Sequence, residues 1–325
     1  MTKRVLVAGG GGFIGGHLAR RLADMGHTVR VVDKKPLTQW YQVHNDCDNL
    51  VLDLNDKNNC YTAVNGYNEV YNLAADMGGM GFIENNKAEC MLSVLINTHL
   101  LMAARDLGAT RFFYASSACV YNGDMQTDAA NPGLKEADAY PALAEDGYGW
   151  EKLFSERMCR HFMEDYGLTC RVARFHNVYG PFGTYDGGRE KAPAAMARKV
   201  IDGDMFGKDE IIIWGDGEQT RSFMYVDECV EGIQKIMNSD ILEPINLGSD
   251  EMVSINQLVD ICEDIAGYKL KRTYDLDAPK GVRGRNSDND LIKEYLDWAP
   301  AYPLADGMKK TYDWIKEQMI AKANK

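Results

Sequence analysis

The chain has 325 residues, 45% of them hydrophobic and 26% charged, and carries a formal net charge of −12. That length can bury a full core and suits one large domain with a smaller partner. The negative charge argues against non-specific attraction to nucleic acid or acidic membranes, and an anionic substrate would need a local basic pocket. No run of about 18 apolar residues occurs, so no membrane-spanning helix is expected. The N-terminus shows neither the apolar stretch nor the cleavage site of a signal peptide, and a cytoplasmic protein is expected. The eight cysteines are scattered, without a C-x-x-C pair or a His partner at metal spacing. Reduced thiols and no metal site are expected.

The chain opens with an apolar strand over 4–8, a glycine turn, and an amphipathic helix to about residue 25. Gly9, Gly12 and Gly15 let backbone approach a pyrophosphate at the helix N-terminus, where free N–H groups and the helix dipole favour anions. Phe13 and Ile14 lie within the same turn. A second strand over 28–32 ends in Asp33, whose carboxylate can accept from an adenosine ribose and repel a 2′-phosphate. This favours NAD over NADP, against the pull of Lys34 and Lys35. Strands over 50–52, 69–73 and 111–114, with helices between them, complete an α/β reading, a doubly wound parallel (Rossmann) sheet. The loop at 76–81 contains Gly78, Gly79 and Met80 and is too long for a simple turn, a kind of segment that tends to border sites.

The strand over 111–114 runs into Ser116, Ser117 and Cys119, at the carboxyl end where open parallel sheets bind ligands. Tyr148 and Lys152, four apart, share one face of a helix whose apolar face reads as Trp150, Leu153, Phe154, Met158 and Phe162. In that arrangement Tyr148 can act as acid/base on a hydroxyl, with Lys152 lowering its pKa. The same spacing recurs at Tyr312 and Lys316, where no cofactor fold precedes it and a solvated face is expected. After a strand over 170–175 the alternation becomes irregular. This places a nucleotide-binding domain at 1–175 and a smaller α/β substrate domain at 176–325, with one segment able to return to the first. The second half offers a turn at 176–181 containing Asn177, a helix carrying Arg198 and Lys199, a hairpin-like loop over 214–223 with Gln219 and Arg221, and Arg285 in a glycine-flanked run. Cations beside glycines in an acidic chain point to a phosphate clamp, for which the planar fork of Arg is suited.

The G-x-x-G-x-x-G turn, the Ser116-Ser117-Ala118-Cys119 strand end and the Tyr148 to Lys152 helix together resemble the extended short-chain dehydrogenase/reductase family of NAD-dependent epimerases and dehydratases. The resemblance implies NAD held by Gly9, Gly12, Phe13, Ile14, Gly15, Asp33, Asp53, Leu54, Ala75, Tyr148 and Lys152. It also implies a homodimer through the helices at 88–107 and 148–165. Within the family, the loop at 76–81 and Gly187-Gly188-Arg189-Glu190-Lys191-Ala192-Pro193 look like those of members that invert carbons 3 and 5 of GDP-mannose. That likeness implies Cys119 and Lys191 as an acid/base pair beside Ser117, Tyr148 and Lys152. It implies a GDP-sugar held by Gly78, Gly79, Met80, Ser117, Cys119, Asn177, Lys191, Lys199, Gln219, Arg221 and Arg285.

The chemistry is coherent on its own terms. A ketone made transiently at carbon 4 acidifies the C–H bonds on both flanking carbons, and a thiolate with an ammonium can exchange those protons if their pKa values are drawn toward neutrality. Cys119 near Lys191 is expected to be so adjusted. A 4-epimerase or dehydratase acting on another nucleotide sugar would keep Tyr148 and Lys152 but have no need of Cys119 with Lys191. A non-catalytic NAD sensor would be expected to have lost Tyr148, Lys152 or the glycine turn, and all are intact.

Overall fold

A computed structural model of the protein describes residues 2–324. In chain order its elements are β1 (Arg4–Ala8), α1 (Phe13–Asp24), β2 (Thr28–Asp33), β3 (Asp48–Val51), α2 (Lys57–Val64), β4 (Glu69–Asn72), α3 (Met80–Asn85), α4 (Lys87–Asp106), β5 (Arg111–Ser117), α5 (Asp146–Tyr166), β6 (Thr169–Phe175), β7 (Asn177–Tyr179), α6 (Ala192–Phe206), β8 (Glu210–Trp214), β9 (Thr220–Tyr225), α7 (Val226–Asn238), β10 (Ile245–Leu247), β11 (Met252–Ser254), α8 (Ile255–Ala266), β12 (Lys271–Asp275), β13 (Gly284–Arg285), α9 (Asp290–Leu296) and α10 (Leu304–Ala323).

Among these, a seven-stranded sheet runs in the order β10-β6-β5-β4-β1-β2-β3, and each neighbouring pair is parallel. The side chains alternate faces with the period of two that a strand imposes. Val5, Val7, Val31 and Phe113 face one core, while Leu6, Ala8, Val32, Phe112 and Tyr114 face another. A parallel sheet buried on both faces needs apolar residues on both, which these strands supply. One core is closed by α2, α4 and α5. The other is closed by α1 and α7 and continues through α6, α8 and α10 into the second half of the chain. The strand order reverses between β1 and β4, opening a crevice at their carboxyl ends, where such folds bind ligands.

Four local expectations are corrected. The loop at 214–223 is not a hairpin: β8 pairs with β12, whereas β9 pairs with β7, β11 and β13. Gly215 and Gly217, both at φ +77°, turn the chain from one small sheet into another rather than back onto itself. The turn at 176–181 contains β7. Tyr312 is buried, because α10 packs its Leu304, Met308, Tyr312 and Ile315 stripe into the core; only Lys316 faces outward, donating to Asp204 at 2.8 Å. On α5, Leu153 and Phe162 are buried while Trp150 and Phe154 stand 43% and 52% exposed. The helix therefore has an inner apolar stripe and an outer one.

Candidate active site

The turn between β1 and α1 depends on glycine for space. Gly9 adopts φ +80°, and a Cβ there would lie 2.7 Å from the Ala74 backbone nitrogen; one on Gly15 would lie 2.4 Å from the Gly9 carbonyl oxygen. The N-cap of α1 is Gly12, with no side-chain cap and no acidic residue in the first turn. Its orphan N–H groups and dipole are left to an anion. They open onto a cavity of about 650 Å³ lined by Gly9, Gly12, Phe13, Ile14, Gly15, Asp33, Asp53, Leu54, Ala75, Tyr148 and Lys152. The shape and donor set fit a dinucleotide, with a pyrophosphate on α1 and a ribose at Asp33. The neighbouring lysines do not offset that carboxylate. Lys34 is bound to Asp76 at 2.7 Å, and Lys35 donates to the Gly11 carbonyl at 2.8 Å while its backbone N–H donates to Asp33 at 3.0 Å.

At the far end of the cavity, β5 delivers Ser116 and Ser117 and α5 delivers Tyr148 and Lys152. Lys152 is buried and donates to the Ala115 carbonyl at 3.1 Å, with its nitrogen 5.5 Å from the Tyr148 ring centroid. Beside it lies Glu151, 3.6 Å away, whose other carboxylate oxygen accepts from Tyr114 at 3.1 Å and Ser155 at 3.0 Å. The expectation that Tyr148 is made more acidic is corrected here. Burial pushes its phenol well up, with Cys119 and Glu151 adding to the effect, and the Ser117 hydroxyl only partly opposes it.

Cys119 follows β5 in a single 3₁₀ turn (Ala118–Val120) capped by Ser117, which accepts from the Cys119 N–H at 3.2 Å. It packs in one apolar cluster with Tyr148, Ile83 and Cys90, covered by Met77 and Phe82. Met77 of the loop at 76–81 and Phe82 of α3 thereby cover Tyr148 and Cys119. The loop is tied to the segment carrying Lys191: Gly79 N–H donates to the Arg189 carbonyl at 3.1 Å, Arg189 binds Asp76 at 2.7 Å, and its guanidinium lies 3.7 Å from the Phe82 ring centroid. Lys191 lines the cavity with Tyr148 and Lys152. Burial lowers its pKa, and the nearby Cys119 and Cys229 oppose this.

The expectation for Cys119 itself is corrected. Burial and Glu145 push its thiol up to about 11, and Arg285 offsets only part of that. Arg285, inside the protein, donates to Gln126 at 2.6 Å and to the Cys119 sulfur at 3.6 Å, and pairs with Glu145. Arg221 is its register partner across β9 and β13; burial, then repulsion from Arg285, lowers the Arg221 pKa to about 10. Two cations thus stand side by side, and one of them touches both the Glu145 carboxylate and the Cys119 sulfur.

The proposed substrate ligands fall into three groups. Gly78, Ser117 and Lys191 line the cavity with Tyr148. Cys119, Arg221 and Arg285 adjoin it as the cluster just described, while Gly79 and Met80 begin α3 in the covering loop. Asn177, Lys199 and Gln219 are held by carbonyls: Ser222 at 3.1 Å, Ile212 at 2.6 Å and Trp214 at 2.7 Å. Glu151, Glu145 and Gln126 were not anticipated. Glu151 and Glu145 have a visible signal, their places beside Lys152 and at the N-cap of the same helix; Gln126 has none, since it reaches the site through an arginine remote in sequence.

The sequence matches the family described as the NAD dependent epimerase/dehydratase family over residues 5–248. It is 49% identical over 320 residues to GDP-mannose 3,5-epimerase 1 of Oryza sativa subsp. japonica, covering 97% of this chain and 82% of that protein. It is 48% identical over 318 residues to GDP-mannose 3,5-epimerase of Arabidopsis thaliana, covering 97% and 83%. Among solved structures it is similar to UDP-glucose 4-epimerase of Thermotoga maritima with UDP-glucose, at a TM-score of 0.85 and 25% identity, covering 97% and 99% of the two chains. MoeE5 in complex with UDP-glucose and NAD matches at a TM-score of 0.81 and 27% identity, covering 97% and 99%. With a glycine turn built for a dinucleotide, a Tyr148–Lys152 helix at the end of its cavity and this similarity along the chain, the protein belongs to the NAD-dependent epimerase/dehydratase family.

Proposed function

We propose that the chain is an isomerase that inverts GDP-mannose at carbons 3 and 5 through a transient 4-keto sugar, giving GDP-L-galactose, and GDP-L-gulose where carbon 5 alone inverts. The observation that carries this reading is the meeting of two sets of reacting groups under one loop. Tyr148 and Cys119 share an apolar cluster, and Lys191 lines the same cavity as Tyr148 and feels Cys119. A simple oxidoreductase of this fold would need only Tyr148 and Lys152.

The residues of the glycine turn with Asp33 and Lys152 would hold NAD, which would supply a reversible hydride acceptor for carbon 4. Tyr148, which lines the cavity with Ser117, would accept the carbon-4 hydroxyl proton as the hydride leaves and give it back on reduction, and Lys152, fixed on the Ala115 carbonyl, would hold the nicotinamide ribose. With a carbonyl at carbon 4, loss of a proton from carbon 3 or carbon 5 gives an enolate. Cys119, as its thiolate, takes that proton on one face and Lys191, whose ammonium is made a better donor by burial, supplies one on the other. Met77 and Phe82 keep water from the enolate. Arg221, with Lys199, Gln219 and Asn177, would hold the diphosphate and its nucleoside, while the three nitrogens of the Arg285 guanidinium are taken by Gln126, Cys119 and Glu145.

We place the cofactor-binding domain at 1–175 and the sugar-binding domain at 176–325, with β10 returned to the first through its pairing with β6. A homodimer is supported by the outward apolar side chains Met91 and Leu95 on α4 and Trp150 and Phe154 on α5, each 38–52% exposed. A cytoplasmic setting is supported by the eight cysteines, all free thiols. No helix among the described residues is long and apolar enough to cross a membrane. The test is direct: GDP-mannose incubated with purified enzyme and no added cofactor should yield sugars inverted at carbons 3 and 5, because each cycle restores NAD. Unchanged sugar, a dehydrated product or inversion at carbon 4 would contradict the reading.

A further inference from the structure

The chemistry proposed for Tyr148, Cys119 and Lys191 leaves one buried charge unused. Arg285 is a buried cation bound at once by the Glu145 carboxylate and by the sulfur of Cys119, and the charge of Glu145 raises the pKa of that thiol. The three are locked by backbone as well. Glu145 N–H donates to the Cys119 carbonyl at 2.9 Å, and Gly149 N–H returns a bond from the first turn of α5 to the Glu145 carbonyl at 2.7 Å. Gln126 fixes the remaining edge of the guanidinium at 2.6 Å. One guanidinium can neutralise only one of two anions held in a site this dry. With Glu145 ionised, a thiolate at Cys119 would put two buried anions on the one guanidinium that touches both.

We propose that Glu145 is the proton acceptor for Cys119 and acts on the sugar only through that thiol. The S–H bond breaks and an O–H bond forms on Glu145. The electron pair stays on sulfur beside Arg285, and the trio remains net neutral throughout. A thiolate is thus made without setting two anions on Arg285, although burial holds the resting thiol protonated. The other charged or titratable groups facing Cys119 are Tyr148 from α5, Cys90 from α4, Lys191 at the start of α6 and Arg221 from β9. Glu145 is the carboxylate among the groups that set the Cys119 titration.

The inference rests on the epimerase reading for its purpose, and its first test does not. In resting enzyme, thiolate absorbance near 240 nm, taken as the difference between the protein and its Cys119→Ala form, reports the titration of this thiol alone. Glu145→Gln removes the neighbouring negative charge and leaves Arg285 to the sulfur. It should lower the Cys119 pKa by about one unit, giving roughly tenfold more thiolate near pH 9. Glu145→Ala is a second removal that should read the same way. An unchanged titration in both would overturn the coupling, whatever the enzyme does with GDP-mannose. The second test is the pH profile of kcat. In the parent enzyme it should be flat near neutrality, because the proton passes internally. In Glu145→Gln it should fall roughly 10- to 100-fold near pH 7 and climb with pH along the shifted thiol titration. Glu145→Asp, which keeps a carboxylate, should restore the flat profile. A loss that is uniform at all pH values would mark a merely structural role and sink the proposal.

Discussion

Replacing Tyr148 with Phe is expected to reduce conversion of GDP-mannose by roughly 10³-fold or more, since a positioned acid/base group contributes about 10²–10⁴ and the carbon-4 oxidation precedes every later step. Only a hydroxyl is removed. The ring keeps its place beside Cys119, Ile83 and Cys90, so folding and NAD content should stay as they are. The variant should also show no reduced nicotinamide on mixing with substrate. A variant that converts the sugar at a substantial fraction of the parent rate would mean that Tyr148 does not carry the redox proton.

Cys119→Ala is the second large effect, and it separates the two halves of the chemistry. Tyr148, Ser117 and Lys152 remain, so the 4-keto sugar should still form, and nicotinamide absorbance near 340 nm should rise and persist. Inversion should fall by about 10²–10⁴ because the proton acceptor is gone. Lys191→Ala should also halt inversion after oxidation, by removing the donor on the other face. Loss of the absorbance change in Cys119→Ala would show that the thiol belongs to the oxidation step instead.

Features were legible in the sequence to the extent that their physics is local. The glycine turn, Asp33, Asp53, Leu54 and Ala75 each sit at a strand end or helix start, and continuous apolar strands announce the sheet that aligns them. These residues line one cavity. The second half was harder because its strands are short: β7, β10 and β11 have three residues each and β13 two. Such segments carry too little alternation to show their partners. Gly215 and Gly217 resemble hairpin residues, yet the next strand, β9, pairs with β7, β11 and β13. Tyr312 and Lys316 copy the Tyr148–Lys152 spacing, but only packing distinguishes a core tyrosine from one at a cavity end. The electrostatics were least legible. The thiol at Cys119 meets Arg285 from 166 positions away, and burial then overrides the cationic neighbour that the sequence brings to mind.

In the proposed mechanism one ketone at carbon 4 activates the carbons on either side, and Cys119 and Lys191 exchange their protons. Incubation of GDP-mannose with the enzyme in deuterated water, with NMR of the recovered sugar, tests this most directly. Deuterium should enter at carbons 3 and 5 and be absent from carbon 4, whose hydrogen leaves and returns as hydride without meeting solvent. Deuterium at carbon 4, or inversion without exchange at carbons 3 and 5, would contradict the mechanism.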